Sequence, residues 1–244
     1  MVPTANRIAL VTGANKGIGF EIARQLGEAG LRVLVGARNP ALGEAAAERL
    51  RSESFDIRHV QVDLTDLAII SAAAADIAAH EGRLDILINN AGIASSGDGS
   101  PAAASLEAVR LTFDTNFFGT LAVTQAMLPL LKRSASGRVV NVSSGLGSLT
   151  EIGDPNSEFS AFRFIGYGGS KAAVNMLTVQ LAAELKDFGI KVNSADPGYT
   201  ATDLNGHRGR QTISEGAAAA IRLALLPDDG PTGGFFGASH PQPW

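Results

Sequence analysis

Apolar residues in this chain fall into short unbroken runs, separated by longer stretches in which they recur at helical spacing. The runs are Ile8–Thr12, Val33–Ala37, Arg58–Val62, Ile86–Asn89, Arg138–Ser143, Lys191–Ala195 and Gly234–Gly237. Several, such as Ile86-Leu87-Ile88, do not alternate with polar residues, which predicts strands buried on both faces of a parallel sheet. The stretches between them, among them Gly19–Ala29, Leu67–Glu81, Leu106–Leu131 and Gly168–Leu185, predict helices. Strands and helices in turn imply right-handed crossovers and an α/β fold, a doubly wound parallel sheet of about seven strands with helices on both faces. The longest loop-like stretch, Ser144 to Phe159, is too short to act as a linker between folded units, so residues 1–244 are expected to form a single domain.

Composition narrows what such a domain does. With 45% hydrophobic and 18% charged residues in 244, the chain can bury a large core. A formal net charge of -4 leaves no basic footprint for nucleic acid. No apolar run reaches the roughly 18 residues of a membrane span, and the apolar stretch after Met1 is too short for a secretory signal. A cytoplasmic location is the default expectation. Cysteine is absent, which removes disulfides and thiolate chemistry. His59, His80, His207 and His240 lie far apart without ligand-like spacing, so no metal is expected.

In a sheet of this kind the ligand lies at the carboxyl ends of the strands, where strand order reverses. The first strand runs into Thr12-Gly13-Ala14-Asn15-Lys16-Gly17-Ile18-Gly19. Its glycines allow a tight turn and close backbone approach to a pyrophosphate, and the helix that follows offers free N–H groups to the anion. The second strand ends Val35-Gly36-Ala37-Arg38. The acid that binds a ribose 2′-hydroxyl in NAD sites is missing there, and a guanidinium suited to the 2′-phosphate of NADP(H) stands in its place. Arg38 and Lys16 are expected to converge on that phosphate. Asp63, before Leu64, is expected either to accept a bond from an adenine amino group or to cap the next helix. Asn89-Asn90-Ala91-Gly92 lets the fourth strand pass close to a ligand or to a neighbouring strand.

The reacting end is marked by Tyr167-Gly168-Gly169-Ser170-Lys171. Residues four apart share a helix face, so phenol and ammonium can enter one site, and a nearby cation is expected to lower the tyrosine pKa. With two tyrosines in the chain, about 0.04 such pairs would arise by chance. Ser143 and Ser144 close the fifth strand on the ligand side of the sheet. Asn116 falls in a helical stretch that asparagine does not favour, which suggests a polar task such as holding a water near Lys171.

These features together resemble the short-chain dehydrogenase/reductase family, and within it the carbonyl-reductase-like branch. The resemblance spans essentially the whole chain and implies a Rossmann fold binding NADP(H). It also implies hydride transfer between NADPH and a ketone or aldehyde, or the alcohol formed from it. By this resemblance Tyr167 is the acid that protonates the carbonyl oxygen and Ser144 orients that oxygen. Lys171 binds the nicotinamide ribose and Asn116 completes a proton relay through water. Cofactor contacts are implied for Gly13, Asn15, Lys16, Gly17, Ile18, Gly19, Arg38, Asp63, Leu64, Asn90, Ala91, Gly92, Tyr167, Lys171, Pro197, Gly198, Thr200 and Thr202.

Two features depart from the family pattern. The stretch between Ser144 and Tyr167 is longer than usual, which marks an insertion near 150–164, and the second arginine of carbonyl reductases is replaced by Ala41 and Leu42. A substrate pocket is expected from Ile93–Gly97, Leu146-Gly147, the insertion and a loop at 199–211. Phe159, Phe162 and Phe164 either favour an apolar substrate or pack the insertion onto the domain. Arg208, Arg210 and His207 either meet an acidic substrate or stand in solvent. A homo-oligomer, dimer or tetramer, is compatible with the family, as is a monomer. The alternatives are a non-catalytic NADP-binding sensor of the same fold and a sugar-nucleotide epimerase or dehydratase, for whose added substrate domain the chain has no room.

Overall fold

The computed structural model describes residues 7–244. The first six positions, where the expected domain and the reading against a signal begin, lie outside the described residues.

Seven strands form one sheet: β1 (Ile8–Thr12), β2 (Arg32–Ala37), β3 (Ile57–Gln61), β4 (Ile86–Asn89), β5 (Arg138–Val142), β6 (Lys191–Ala195) and β7 (Phe235–Phe236). The order is β3-β2-β1-β4-β5-β6-β7, and every pairing is parallel. The chain reverses direction across the sheet between β1 and β4, where Leu10 lies opposite Leu34 on one side and Leu87 on the other. This reversal opens the crevice in which such sheets bind ligands.

All five residues of β1 are buried, and their period of two divides the core. Ala9 and Val11 join one hydrophobic cluster, with Ile22 and Leu26 of α1 (Gly17–Glu28) and Ala220 of α8 (Ile213–Ala224). Ile8 and Leu10 join the other, with Ile77 of α3 (Leu67–His80), Met127 of α5 (Thr120–Leu131) and Leu181 of α7 (Ile165–Glu184). Each fully buried Leu or Ile contributes roughly 1.5–3 kcal/mol, so both sides of the sheet are held. The remaining helices are α2 (Pro40–Arg51), α4 (Leu106–Phe113) and the short α6 (Leu149–Gly153).

The predicted helix 106–131 is not continuous. It divides into α4, a π-helical segment Asp114–Gly119 and α5. The wider π turn directs Asn116 inward, where it is buried, and such insertions recur at functional positions. The last strand is shorter than expected, and β5 ends at Val142, one residue before Ser143. The cap of α3 is Asp66, whose Oδ1 accepts from Ala68 and Ile69 N–H. Asp63, one of whose two expected roles is to cap this helix, instead closes a turn onto the N–H and hydroxyl of Thr65.

Candidate active site

At the reversal point the glycine loop is fastened to the end of β4. Thr12 Oγ1 accepts from the N–H groups of Asn90 and Ala91 at 3.0 and 3.1 Å, and Asn90 Nδ2 donates to the carbonyl of Thr12 at 2.9 Å. Gly13 has φ of 65° and would bring a Cβ to 2.9 Å from Ala91 Cα, so no side chain fits there. Gly19 would drive its Cβ into Asn90 Nδ2 and the Gly13 carbonyl. The turn is therefore shaped by close backbone contact, with Asn15, Gly17 and Ile18 half-buried around it and Leu64 buried behind.

The two cations expected to converge do not share one environment. Lys16 Nζ lies 2.5 Å from Asp203 Oδ2, an exposed pair joining the glycine loop to the 199–211 loop. Arg38 is exposed at the end of β2, and its guanidinium makes no ion pair or hydrogen bond among the described residues. Of the two, Arg38 is the cation left open to an anion.

On the other side of the crevice, α7 brings the reacting groups together. Tyr167 and Lys171 share a face, with the ammonium 5.7 Å from the ring centroid. The Ser144 side chain lies close enough to the phenol to lower its pKa. Ser144 is half-buried and also accepts from Leu146 N–H at 3.2 Å, whereas Ser143 is buried, its hydroxyl directed at the Lys171 carbonyl. Ser144 is thus the serine of the pair that faces the crevice. A Cβ at Gly92 would lie 3.5 Å from Lys171 Nζ and 3.2 Å from Asn116 Oδ1, so the end of β4 borders the same space. The Asn116 side chain is fully committed: Oδ1 accepts from Ile93 N–H at 2.8 Å, while Nδ2 donates to the Ile93 carbonyl and to Ser170 Oγ.

The expected direction of the tyrosine shift is reversed. Burial pushes the Tyr167 phenol up to about 12; the Ser144 hydrogen bond lowers it and the nearby Asp196 carboxylate raises it. Lys171 does not offset this, because its own ammonium is buried, pushed down to about 8 by desolvation, and directed at the Val142 carbonyl at 2.7 Å. At neutral pH the phenol holds its proton, which suits an acid.

Beyond β6, Gly198 adopts φ of 66° next to Pro197. Thr200 is buried, with its hydroxyl donated to the Pro197 carbonyl at 2.8 Å, so it braces the loop. Thr202 stands against Gly17, whose Cβ would meet its methyl at 4.0 Å. In the 150–164 stretch, the Phe159 ring packs so closely on Gly145 that a Cβ there would come within 2.6 Å. Phe162 and Phe164 are exposed and face each other at 6.4 Å. Phe159 thus packs beside the serine, and the other two form an exposed apolar pair. Arg210 is 3.8 Å from Glu158, and His207 pairs with Asp203 at 2.9 Å. Among the described residues no group of three or more His, Asp or Glu side chains is arranged to hold a metal, and no helix is long and apolar enough to cross a membrane.

Two carboxylates have no counterpart among the residues that the sequence pattern singles out. Asp98 Oδ2 accepts from Tyr167 N–H, and its Oδ1 from Gly166 and Gly99 N–H, each at 2.8 Å. It therefore supplies the cap that Phe164, at the helix boundary, cannot, and it satisfies orphan donors where the helix dipole favours negative charge. Asp196 is buried, and its charge acts on the Tyr167 phenol. An acid just past the end of a strand has no local signature of its own; only the run Asp196-Pro197-Gly198 hints at a turn.

A seven-stranded parallel sheet with a glycine turn at its reversal point and a Ser–Tyr–Lys cluster across the crevice defines a dinucleotide-binding oxidoreductase fold. The profile of the family described as short chain dehydrogenase matches residues 7–212. The chain belongs to the short-chain dehydrogenase/reductase family. It is 36% identical to carbonyl reductase [NADPH] 3 of Mus musculus, over 93% of each chain. It is 34% identical to (+)-neomenthol dehydrogenase of Capsicum annuum, over 96% of each. That alignment spans 304 positions against the 244 residues here, so the relative carries segments this chain lacks. The structure of NADPH-bound carbonyl reductase from chicken fatty liver superposes with a TM-score of 0.86 at 29% identity, covering 98% of this chain and 100% of that one.

Proposed function

We propose that this protein reduces a ketone or aldehyde with NADPH, and that Tyr167 delivers the proton. The observation that carries the reading is the meeting of Ser144, Tyr167 and Lys171 at one place, with the Ser144 side chain acting on the phenol and the Lys171 ammonium 5.7 Å from the same ring. The residues at the nucleotide end fit the cofactor: a glycine turn with no room for side chains at Gly13 and Gly19, and an exposed, unpaired guanidinium at Arg38. The relatives named for NADPH agree with this. Gly13, Asn15, Gly17, Ile18 and Gly19 would hold the pyrophosphate, Arg38 the 2′-phosphate, and Asp63 with Leu64 the adenine side. Asn90, Ala91, Gly92, Pro197, Gly198 and Thr202 would border the nicotinamide and its ribose.

The bound reduced nicotinamide supplies the hydride. Ser144 Oγ fixes the substrate carbonyl oxygen beside the Tyr167 hydroxyl. As hydride reaches the carbonyl carbon, the phenolic O–H bond breaks and its proton passes to the oxygen, giving the alcohol. Lys171 stands close enough to stabilise the phenolate that remains. Asn116 holds Ile93 and Ser170 in place around this group, so a water relay through position 116 would run from its backbone carbonyl. A phenol that stays protonated at neutral pH is in the form that donates the proton during reduction. Phe159 at Gly145, next to Ser144, and the exposed Phe162 and Phe164 of the same stretch favour an apolar carbonyl compound.

Loss of NADPH absorbance against a panel of ketones, aldehydes and quinones is the direct assay, with apolar cyclic or aromatic carbonyls expected to turn over fastest. A panel without any turnover while NADPH still binds would favour the sensor reading. Arg38→Ala is expected to weaken NADPH binding by about tenfold to a hundredfold, as loss of a charge-assisted bond does, and to leave NADH binding nearly unchanged. Equal losses for both cofactors in fluorescence titrations would remove Arg38 from the phosphate site.

A further inference from the structure

Asp196 is the first residue after β6 and is buried. Its Oδ1 accepts the Gly198 N–H at 3.0 Å, and the Gly145 backbone acts on the carboxylate from the neighbouring loop, which the Ser143 N–H ties to the Ala195 carbonyl at 2.8 Å. Its own N–H donates to the Phe236 carbonyl at 2.8 Å. Gly145 follows Ser144 directly and opens the short turn Gly145–Gly147, while Gly198 closes the Pro197 turn. The carboxylate thus sits where the loop bearing the oxygen-orienting hydroxyl runs beside the turn on the nicotinamide side. Neutral side chains could not do this equally well: an amide offers one acceptor oxygen, and its NH2 would face a backbone donor.

We propose that Asp196 is a positioning residue of the reductase site, which holds the Ser144 loop and the Pro197-Gly198 turn in register and sets a negative charge near the Tyr167 phenol. The inference rests on the reductase reading above. The charged and titratable groups facing it are Tyr167 from α7, Glu151 from α6 and His240 from the C-terminal segment. Burial, the largest influence, raises its carboxyl pKa, and the two backbone N–H groups oppose that rise. The ionised carboxylate in turn helps keep Tyr167 protonated.

The test compares Asp196→Asn, nearly isosteric, with Asp196→Ala in the full chain. Asp196→Asn is expected to lower kcat/KM about tenfold, and Asp196→Ala further, since Ala leaves both backbone donors unpaired. In Asp196→Asn the alkaline limb of the pH–rate profile should begin about one unit lower than in the wild type, because the phenol has lost its anionic neighbour. A second reading needs no turnover. With Tyr199→Phe as background, Tyr167 is the chain's one remaining tyrosine, and its ultraviolet phenolate absorbance should rise at lower pH when Asp196→Asn is added. An Asp196→Asn protein with wild-type kcat/KM, or with an unmoved alkaline limb and an unmoved phenolate titration, overturns the proposal. A wild-type protein inactive on the whole panel would instead defeat the reductase reading, and the phenolate titration would still decide the charge effect on Tyr167.

Discussion

Tyr167→Phe is expected to reduce carbonyl turnover by about 100-fold to 10,000-fold, the range for loss of a general acid, while NADPH binds within about twofold of the wild type. The substitution removes one oxygen from a half-buried ring and leaves the packing of α7 intact. The Asp98 carboxylate binds the backbone N–H of residue 167 and not its side chain, so the start of the helix should hold. Ser144 loses its phenolic partner but keeps the Leu146 N–H. With the proton donor gone, hydride arrival would leave an alkoxide with only the Ser144 hydroxyl beside it. Single-turnover kinetics at saturating NADPH is the measurement, because it separates chemistry from binding. Retention of more than about a tenth of the rate would mean that water or Ser144 carries the proton, and the assignment of Tyr167 as the acid would fail.

The features readable from sequence were those encoded by neighbours along the chain. Ile86-Leu87-Ile88 predicted a strand buried on both faces because the same three residues meet that environment in β4. Tyr167 and Lys171 were readable because four-residue spacing alone sets their common face. What escaped depended on distant partners or on burial. Lys16 meets Asp203 from 187 positions away, a partner that no feature near position 16 announces. Asp98 caps a helix that begins far along the chain at Ile165, and its target is backbone N–H, which every sequence has. The π turn at Asp114–Gly119 carries the same apolar spacing as an α-helix over so short a length, and only the polar Asn116 hinted at it. The tyrosine shift runs opposite to the sequence expectation because proximity of a cation is visible in sequence, whereas desolvation of both groups is not.

Lys171→Met is expected to lower turnover by at least about 100-fold and at the same time to make the protein more stable at pH 7. The two effects share one cause. Lys171 is buried, and desolvation lowers its pKa from 10.5 to about 8. At about 1.4 kcal/mol per unit, the charged form costs the fold on the order of 3 kcal/mol. Below pH 8 the lysine is charged in folded and unfolded chains alike, so the whole cost is present. Between about 8 and 10.5 the folded chain gives up its proton first, the unfolded chain binds more protons, and wild-type stability rises with pH. Methionine fills a similar volume without charge, but it leaves the Val142 carbonyl without the donor that now lies at 2.7 Å, a loss of about 1–2 kcal/mol. The net gain at pH 7 is therefore expected to be about 1–2 kcal/mol, shrinking to nothing or reversing by about pH 10.5. Denaturant unfolding of both proteins without cofactor, at pH 7 and again near pH 10, measures it. A variant less stable than the wild type at pH 7 would mean that the ammonium is well compensated where it stands. Its position beside Tyr167 would then cost the fold nothing, and the charge that should stabilise the phenolate would no longer be held there against the stability of the protein.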